Sequence, residues 1–180
     1  MADLRKSESH GRIGEAATYA KCWMNGIRAY HTGGLRLNFA GSDLIVETKD
    51  PRQKLWIQVK AGAPTLKGHV YLTQCAGDKD LNNKKKFAAD FVIFVNLDPK
   101  MAKSHLHDGS FNFEHLSFYI VPCDVANNIY RKALNRLANK PKRDGGRRKL
   151  GNMAIDVPAP KMDQYRDAWS LIRQAPLRVA

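Results

Sequence analysis

The chain has 180 residues, 43% hydrophobic and 26% charged, enough to bury one core without disulfides or a structural metal. Thirty Lys and Arg against 17 Asp and Glu leave a net charge of +13, which favours a polyanionic partner, nucleic acid above all. Three scattered cysteines, Cys22, Cys75 and Cys123, exclude a disulfide framework and fit a reducing, cytoplasmic setting. No apolar stretch near 18 residues exists to span a membrane, and the polar first ten residues lack the apolar run of a secretory signal.

Those first ten residues read as a loose N-terminus. A helix follows from Gly11, with Ala16, Ala17, Tyr19, Ala20, Trp23 and Met24 at helical spacing, and Asn25-Gly26 ends it. Ile27 to His31 reads as a short strand closed by a Gly33-Gly34 turn. Asp43 to Glu47 and Leu55 to Ala61 are stronger strand signals, separated by the turn at Lys49 to Gln53. Three consecutive strands imply an antiparallel meander.

From Asp78 to Ala89 the pattern predicts a lysine-rich helix. Asp90 to Asn96 is nearly all apolar and predicts a strand buried on both faces. Residues 98 to 116 read as a loop that happens to hold His105, His107 and His115. Leu116 to Val121 predicts a last core strand, Asp124 to Ala138 an amphipathic helix, and Asp163 to Gln174 a short final helix carrying Trp169. The order implies an α/β class with a mixed central sheet flanked by helices. The expected organisation is a flexible N-terminus over 1–10, a core over 11–138, and a basic arm with a C-terminal helix over 139–180.

Side chains alternate faces along a strand, so Gln58 and Lys60 share a face opposite Leu55, Ile57 and Val59. If the apolar sets of both strands face the core, Asp43 points the same way. A carboxylate, an amide and an ammonium then converge at one end of a hairpin, with Glu15 one helix earlier. Anionic and amide oxygens can hold a hard divalent cation, and a nearby ammonium can neutralise charge building on a phosphate. Taken alone, a polar residue, one other and Lys describes many half-exposed strands. The order and spacing of all four residues carry the reading.

The pattern Gly14-Glu15 on a helix, Ser42-Asp43 at the first strand motif and Gln58-Val59-Lys60 at the second resembles the PD-(D/E)XK nuclease superfamily. It is most similar to the small members: Holliday-junction resolvases, restriction enzymes and intron homing endonucleases. The resemblance covers about residues 11 to 96 and implies a restriction-endonuclease-like core. Ser42 stands at the eponymous Pro position, and Gln58 stands where the family carries an acidic ligand. What the resemblance implies is Mg²⁺ (or Mn²⁺) held by Asp43, Gln58 and the Val59 carbonyl, with Glu15 reaching it through a water and Lys60 at the attacking water.

The second functional signal is charge. Arg131 to Lys149 holds nine Lys or Arg against one acid, Asp144, a net +8. Within it Lys140, Lys142, Arg143, Arg147, Arg148 and Lys149 are the expected phosphate contacts, flexible about Gly145-Gly146. Lys84-Lys85-Lys86 reads as a solvated helix face that could skirt DNA. Trp56 shares the face of Gln58 and Lys60, while Trp23 and Trp169 read as core or interface.

The expected activity is therefore metal-dependent hydrolysis of double-stranded or branched DNA. A homodimer is compatible with it, because cutting both strands favours two sites related by a dyad. Two readings from other classes stay open on the residues alone. One is a nuclease-fold DNA-binding module without catalysis, with Gln58 as the lesion. The other is a basic RNA-associated structural protein in which the motif is accidental.

Overall fold

A computed structural model describes residues 2–32, 41–48, 50, 53–77, 79–83, 85–98, 113–141 and 150–175. Helix α1 spans Ala2–Met24. It therefore begins well before Gly11 and takes in the stretch expected to be loose. Residues 2–10 contain no Gly or Pro and include the helix formers Leu4, Arg5, Lys6 and Glu8. At its end the Asn25 N–H donates to the Lys21 carbonyl at 3.1 Å and Gly26 adopts φ +70°.

Strands β1 (Ala29–His31), β2 (Leu44–Glu47) and β3 (Lys54–Gly62) form the expected antiparallel meander, with Tyr30 opposite Ile45 and Ile45 opposite Trp56. Strand β4 (His69–Ala76) and the one-turn helix α2 (Lys79–Asn82) then leave this sheet. Strand β5 (Phe91–Leu97) returns parallel to β3, placing Gln58 beside Val92 and Gly62 beside Asn96. Strand β6 (Leu116–Pro122) closes the sheet antiparallel to β5, giving the order β1-β2-β3-β5-β6. The sheet is mixed, and β5 is buried at all seven positions, as its apolar sequence requires.

Each face of the sheet carries its own core. On one face Leu44, Ile57, Ile93 and Ile120 pack under Ala17 and Cys22 of α1 and under Trp169 and Ile172. On the other, Val92, Phe94 and Val121 pack against helix α3 (Cys123–Ala138) through Ala126, Tyr130 and Leu134. The class is α/β with helices on both sides of a mixed sheet.

Three expectations are corrected. Strand β7 (Asn152–Pro158) pairs antiparallel with β4, so a separate two-stranded sheet covers part of the second core. Neither strand was expected. The stretch over 150–175 is consequently part of the packed fold, with Ile155, Val157 and Met162 buried. The helix expected over 163–174 is broken into a 3-10 turn at Asp163–Tyr165 and a short helix α4 (Ser170–Arg173), with another 3-10 turn at Ala159–Lys161 before it. Asp167 interrupts it by adopting φ +49° and donating its N–H to the Phe118 carbonyl at 2.9 Å.

The third correction concerns 78–89, where among the described residues only α2 is helical. The irregular remainder is held from outside by Asn127 of α3. Its Oδ1 accepts from the N–H groups of Lys86 (2.8 Å) and Phe87 (3.0 Å), and its Nδ2 donates to the carbonyls of Phe87 (3.1 Å) and Cys123 (2.9 Å). Asn127→Ala should strand these buried groups and lower unfolding stability by about 2 kcal/mol. Urea denaturation checks it, and wild-type stability would show that water replaces the amide.

The Gly33-Gly34 turn, His105 and His107, Lys84, and residues 142–149 lie outside the described residues. Among the described residues no helix is long and apolar enough to cross a membrane.

Candidate active site

Asp43 immediately precedes β2, and its backbone is held from two sides. Its N–H donates to the Ile57 carbonyl at 2.8 Å. Its carbonyl accepts from the Thr32 N–H and the Thr32 hydroxyl, both at 3.1 Å, and the same hydroxyl reaches the Ser42 carbonyl at 2.9 Å. The β2–β3 ladder ends at the Leu44–Ile57 pair. Beyond it, Asp43 Oδ2 accepts the Val59 N–H at 2.6 Å, so a carboxylate takes the place of a strand partner. A residue's N–H and C=O point to the same edge of a strand, so Val59 also turns its carbonyl toward the Asp43 side.

Gln58 is only 8% exposed, and its Oε1 is buried with no hydrogen-bond partner among the described residues. The two buried asparagines among the described residues behave differently. Asn127 uses both ends of its amide, as described above. Asn96 accepts the Tyr71 N–H at 2.7 Å and donates to the Tyr71 carbonyl at 3.1 Å. A buried unpaired acceptor costs about 1–3 kcal/mol, so its retention at Gln58 asks for a ligand. Ser42 Oγ, beside Asp43, is likewise buried and unpartnered among the described residues.

Glu15 reaches this group because of the glycine before it. A Cβ on Gly14 would overlap the Ala61 Cβ and sit 3.5 Å from Val59 Cγ1. Only a glycine lets α1 lie this close on β3. Burial raises the Glu15 pKa, the Asp43 charge raises it further, and Lys60 and Arg12 pull the other way. Glu15, Asp43 and Lys60 thus share one electrostatic neighbourhood. Trp56 is half-buried on the same strand, its N–H donating to Asp90 Oδ2 at 2.8 Å.

The structure thus links Asp43 to Val59 by a hydrogen bond and puts Glu15 within the electrostatic influence of Asp43 and Lys60, with Gln58 between Val59 and Ile57 on β3. Thr32 completes the arrangement and was not singled out by sequence, while Gly14 and Ser42 were quoted there only as the motif neighbours of Glu15 and Asp43. Gly14 left a signal, a small residue directly before the helix carboxylate; Thr32 left none. Two carboxylates, an amide oxygen and a backbone carbonyl are hard oxygen donors, the kind that Mg²⁺ or Mn²⁺ takes. Among the described residues no three His, Cys, Asp or Glu side chains group as a metal site, so neutral oxygens would have to complete this one.

Of the expected phosphate contacts, Lys140 is exposed just beyond α3, and Lys142, Arg143, Arg147, Arg148 and Lys149 fall outside the described residues. The reading of Lys86 as solvated is corrected: its ammonium lies 2.9 Å from buried Asp80 Oδ2, an interior ion pair. Trp169 is core, while Trp23 is 47% exposed.

No protein-family model matches the chain, and no curated protein matches it. A solved structure described as that of a bacterial homing endonuclease, I-Ssp6803I, is similar to it with a TM-score of 0.48 and 18% identity, over 93% of each chain.

Proposed function

We propose that the chain is a metal-dependent endodeoxyribonuclease of the PD-(D/E)XK type, hydrolysing phosphodiester bonds in double-stranded or branched DNA. The observation that carries this is the buried, unpartnered Gln58 Oε1 on the strand whose next residue, Val59, tethers Asp43 and whose Lys60 is half-buried. Asp43, Gln58 and the Val59 carbonyl would hold Mg²⁺ or Mn²⁺, with Glu15 contributing through a water. When bound, the ion supplies Lewis-acid polarisation of the phosphate and a more acidic water. The Val59 N–H fixes the Asp43 carboxylate, so its orientation needs no rearrangement before substrate arrives. Lys60 places a positive charge where the phosphate gains negative charge. The net +13 suits a polyanionic substrate.

The test is incubation with plasmid and branched DNA, with Mg²⁺ or with chelator. Nicked or linear product only with metal is expected, and metal-independent cutting would overturn the assignment. Binding without any cleavage would favour the second reading, an inert DNA-binding module, which the neutral Gln58 supports. Gln58→Glu addresses this directly. A charge replaces a dipole, so Mg²⁺ affinity measured by calorimetry should rise about tenfold. Unchanged affinity would remove Gln58 from the ligand set.

A further inference from the structure

A groove of about 440 Å³ lies between α3 and the β4–β7 sheet, and none of the candidate active-site residues lines it. On α3 its lining falls into two adjacent rows at four-residue spacing. Ile129, Ala133 and Leu137 make an apolar row. Lys132 and Arg136, continued by Lys140 just past the helix end, make a cationic one. Lys161 adds a fourth cation from the 3-10 turn after β7, and Val157 adds apolar surface.

All four cations are exposed, and none forms an ion pair among the described residues. The one carboxylate of the lining, Asp156, is engaged at Oδ2 by both the N–H (2.6 Å) and the hydroxyl of Thr65, and its Oδ1 is buried with no hydrogen-bond partner among the described residues. The negative end of a helix dipole would account for Arg136 and Lys140. It does not account for Lys132, a turn further in, or for Lys161 on the other wall.

A sugar–phosphate strand alternates anionic phosphates with apolar deoxyribose. A cationic rim over an apolar floor matches that alternation, whereas a purely charged surface would serve phosphates alone. We infer that this groove holds one backbone strand of a DNA duplex, as a contact surface separate from the cutting site. The inference rests on the DNA substrate proposed above. An acidic protein segment is the other occupant that this chemistry could take, and the net +13 of the whole chain favours the nucleic acid.

The experiment measures binding of the full chain to a labelled duplex by fluorescence anisotropy, in chelator, across salt concentrations. Each lost phosphate contact flattens the log–log salt slope by about 0.9. The triple variant Lys132→Ala/Arg136→Ala/Lys161→Ala should therefore have a slope shallower by about 2.7. Between about 50 and 200 mM salt, wild type should then lose about 40-fold more affinity than the variant. Lys132→Arg/Lys161→Arg, which keeps the charge, should keep the wild-type slope, and circular dichroism confirms that both variants fold. A wild-type slope in the folded triple variant overturns the inference. So does a wild-type chain that binds polyglutamate but not the duplex, which assigns the groove to an acidic protein. Because chelator prevents cutting, a groove-dependent slope with no Mg²⁺-dependent cleavage would remove the nuclease reading and leave the groove standing.

Discussion

Cleavage should fall by roughly 10²–10³-fold or more in Asp43→Asn and in Lys60→Ala, for different reasons. Asparagine keeps the shape of the side chain and an oxygen that can still accept the Val59 N–H, so the tether survives and only the charge is lost. Metal affinity should fall with activity. Lys60→Ala removes the ammonium proposed to face substrate and not to hold metal, so activity should fall while metal affinity is retained. Single-turnover cleavage across a Mg²⁺ titration separates the two patterns. Both variants should melt near wild type and keep most of their DNA binding in chelator. Full activity in Asp43→Asn would overturn the site.

The largest stability effect is expected far from that site, at Asp80. This buried carboxylate accepts from Lys86 Nζ (2.9 Å), the Ala76 N–H (2.9 Å) and the Tyr130 hydroxyl (2.7 Å). Burial by itself would raise its pKa, but Lys86 and the two other donors outweigh it and bring the value down to about 2. Burial and Asp80 together push the Tyr130 pKa up. Asp80→Ala leaves the Lys86 ammonium, itself mostly buried, without its counter-charge, at a cost of about 3–5 kcal/mol. The sign with pH follows from the lowered value. The folded state holds the ionised form more tightly than the unfolded chain, whose value is near 3.8. The contribution of roughly 2 kcal/mol is therefore present above about pH 4 and fades as pH falls toward 2. Urea unfolding of wild type and variant at several pH values should show a constant gap at neutral pH that narrows below pH 4. A gap independent of pH would mean that packing, not charge, holds Asp80 in place.

The legible parts of this fold are those whose signal is local. The meander through β3 shows alternation and turn residues, β5 and β6 are almost wholly apolar, and α3 is amphipathic over sixteen residues. The two strands that escaped notice lack that redundancy. In β4 the register shifts between Tyr71 and Thr73, which breaks the two-residue period between Leu72 and Cys75. In β7 only Ile155 and Val157 are buried, between Gly151 and Pro158. The irregular segment after α2 has its order imposed by Asn127, forty residues later, which no window on the sequence contains. At the candidate site, residue order located Glu15, Asp43, Gln58 and Lys60. It could not show that one glutamine oxygen is left unpaired while two buried asparagines are satisfied, because that contrast exists only once neighbours are placed.

Pairing of β4 with β7 also sets a schedule for assembly. β4 ends at Ala76 and the strand that covers it begins at Asn152, so this ladder cannot arise by closing a short stretch of chain. During synthesis Val70, Leu72 and Cys75 emerge long before Ile155 and Val157 exist to meet them. A nascent or truncated chain therefore carries an unpaired apolar strand, the kind of edge that recruits other chains.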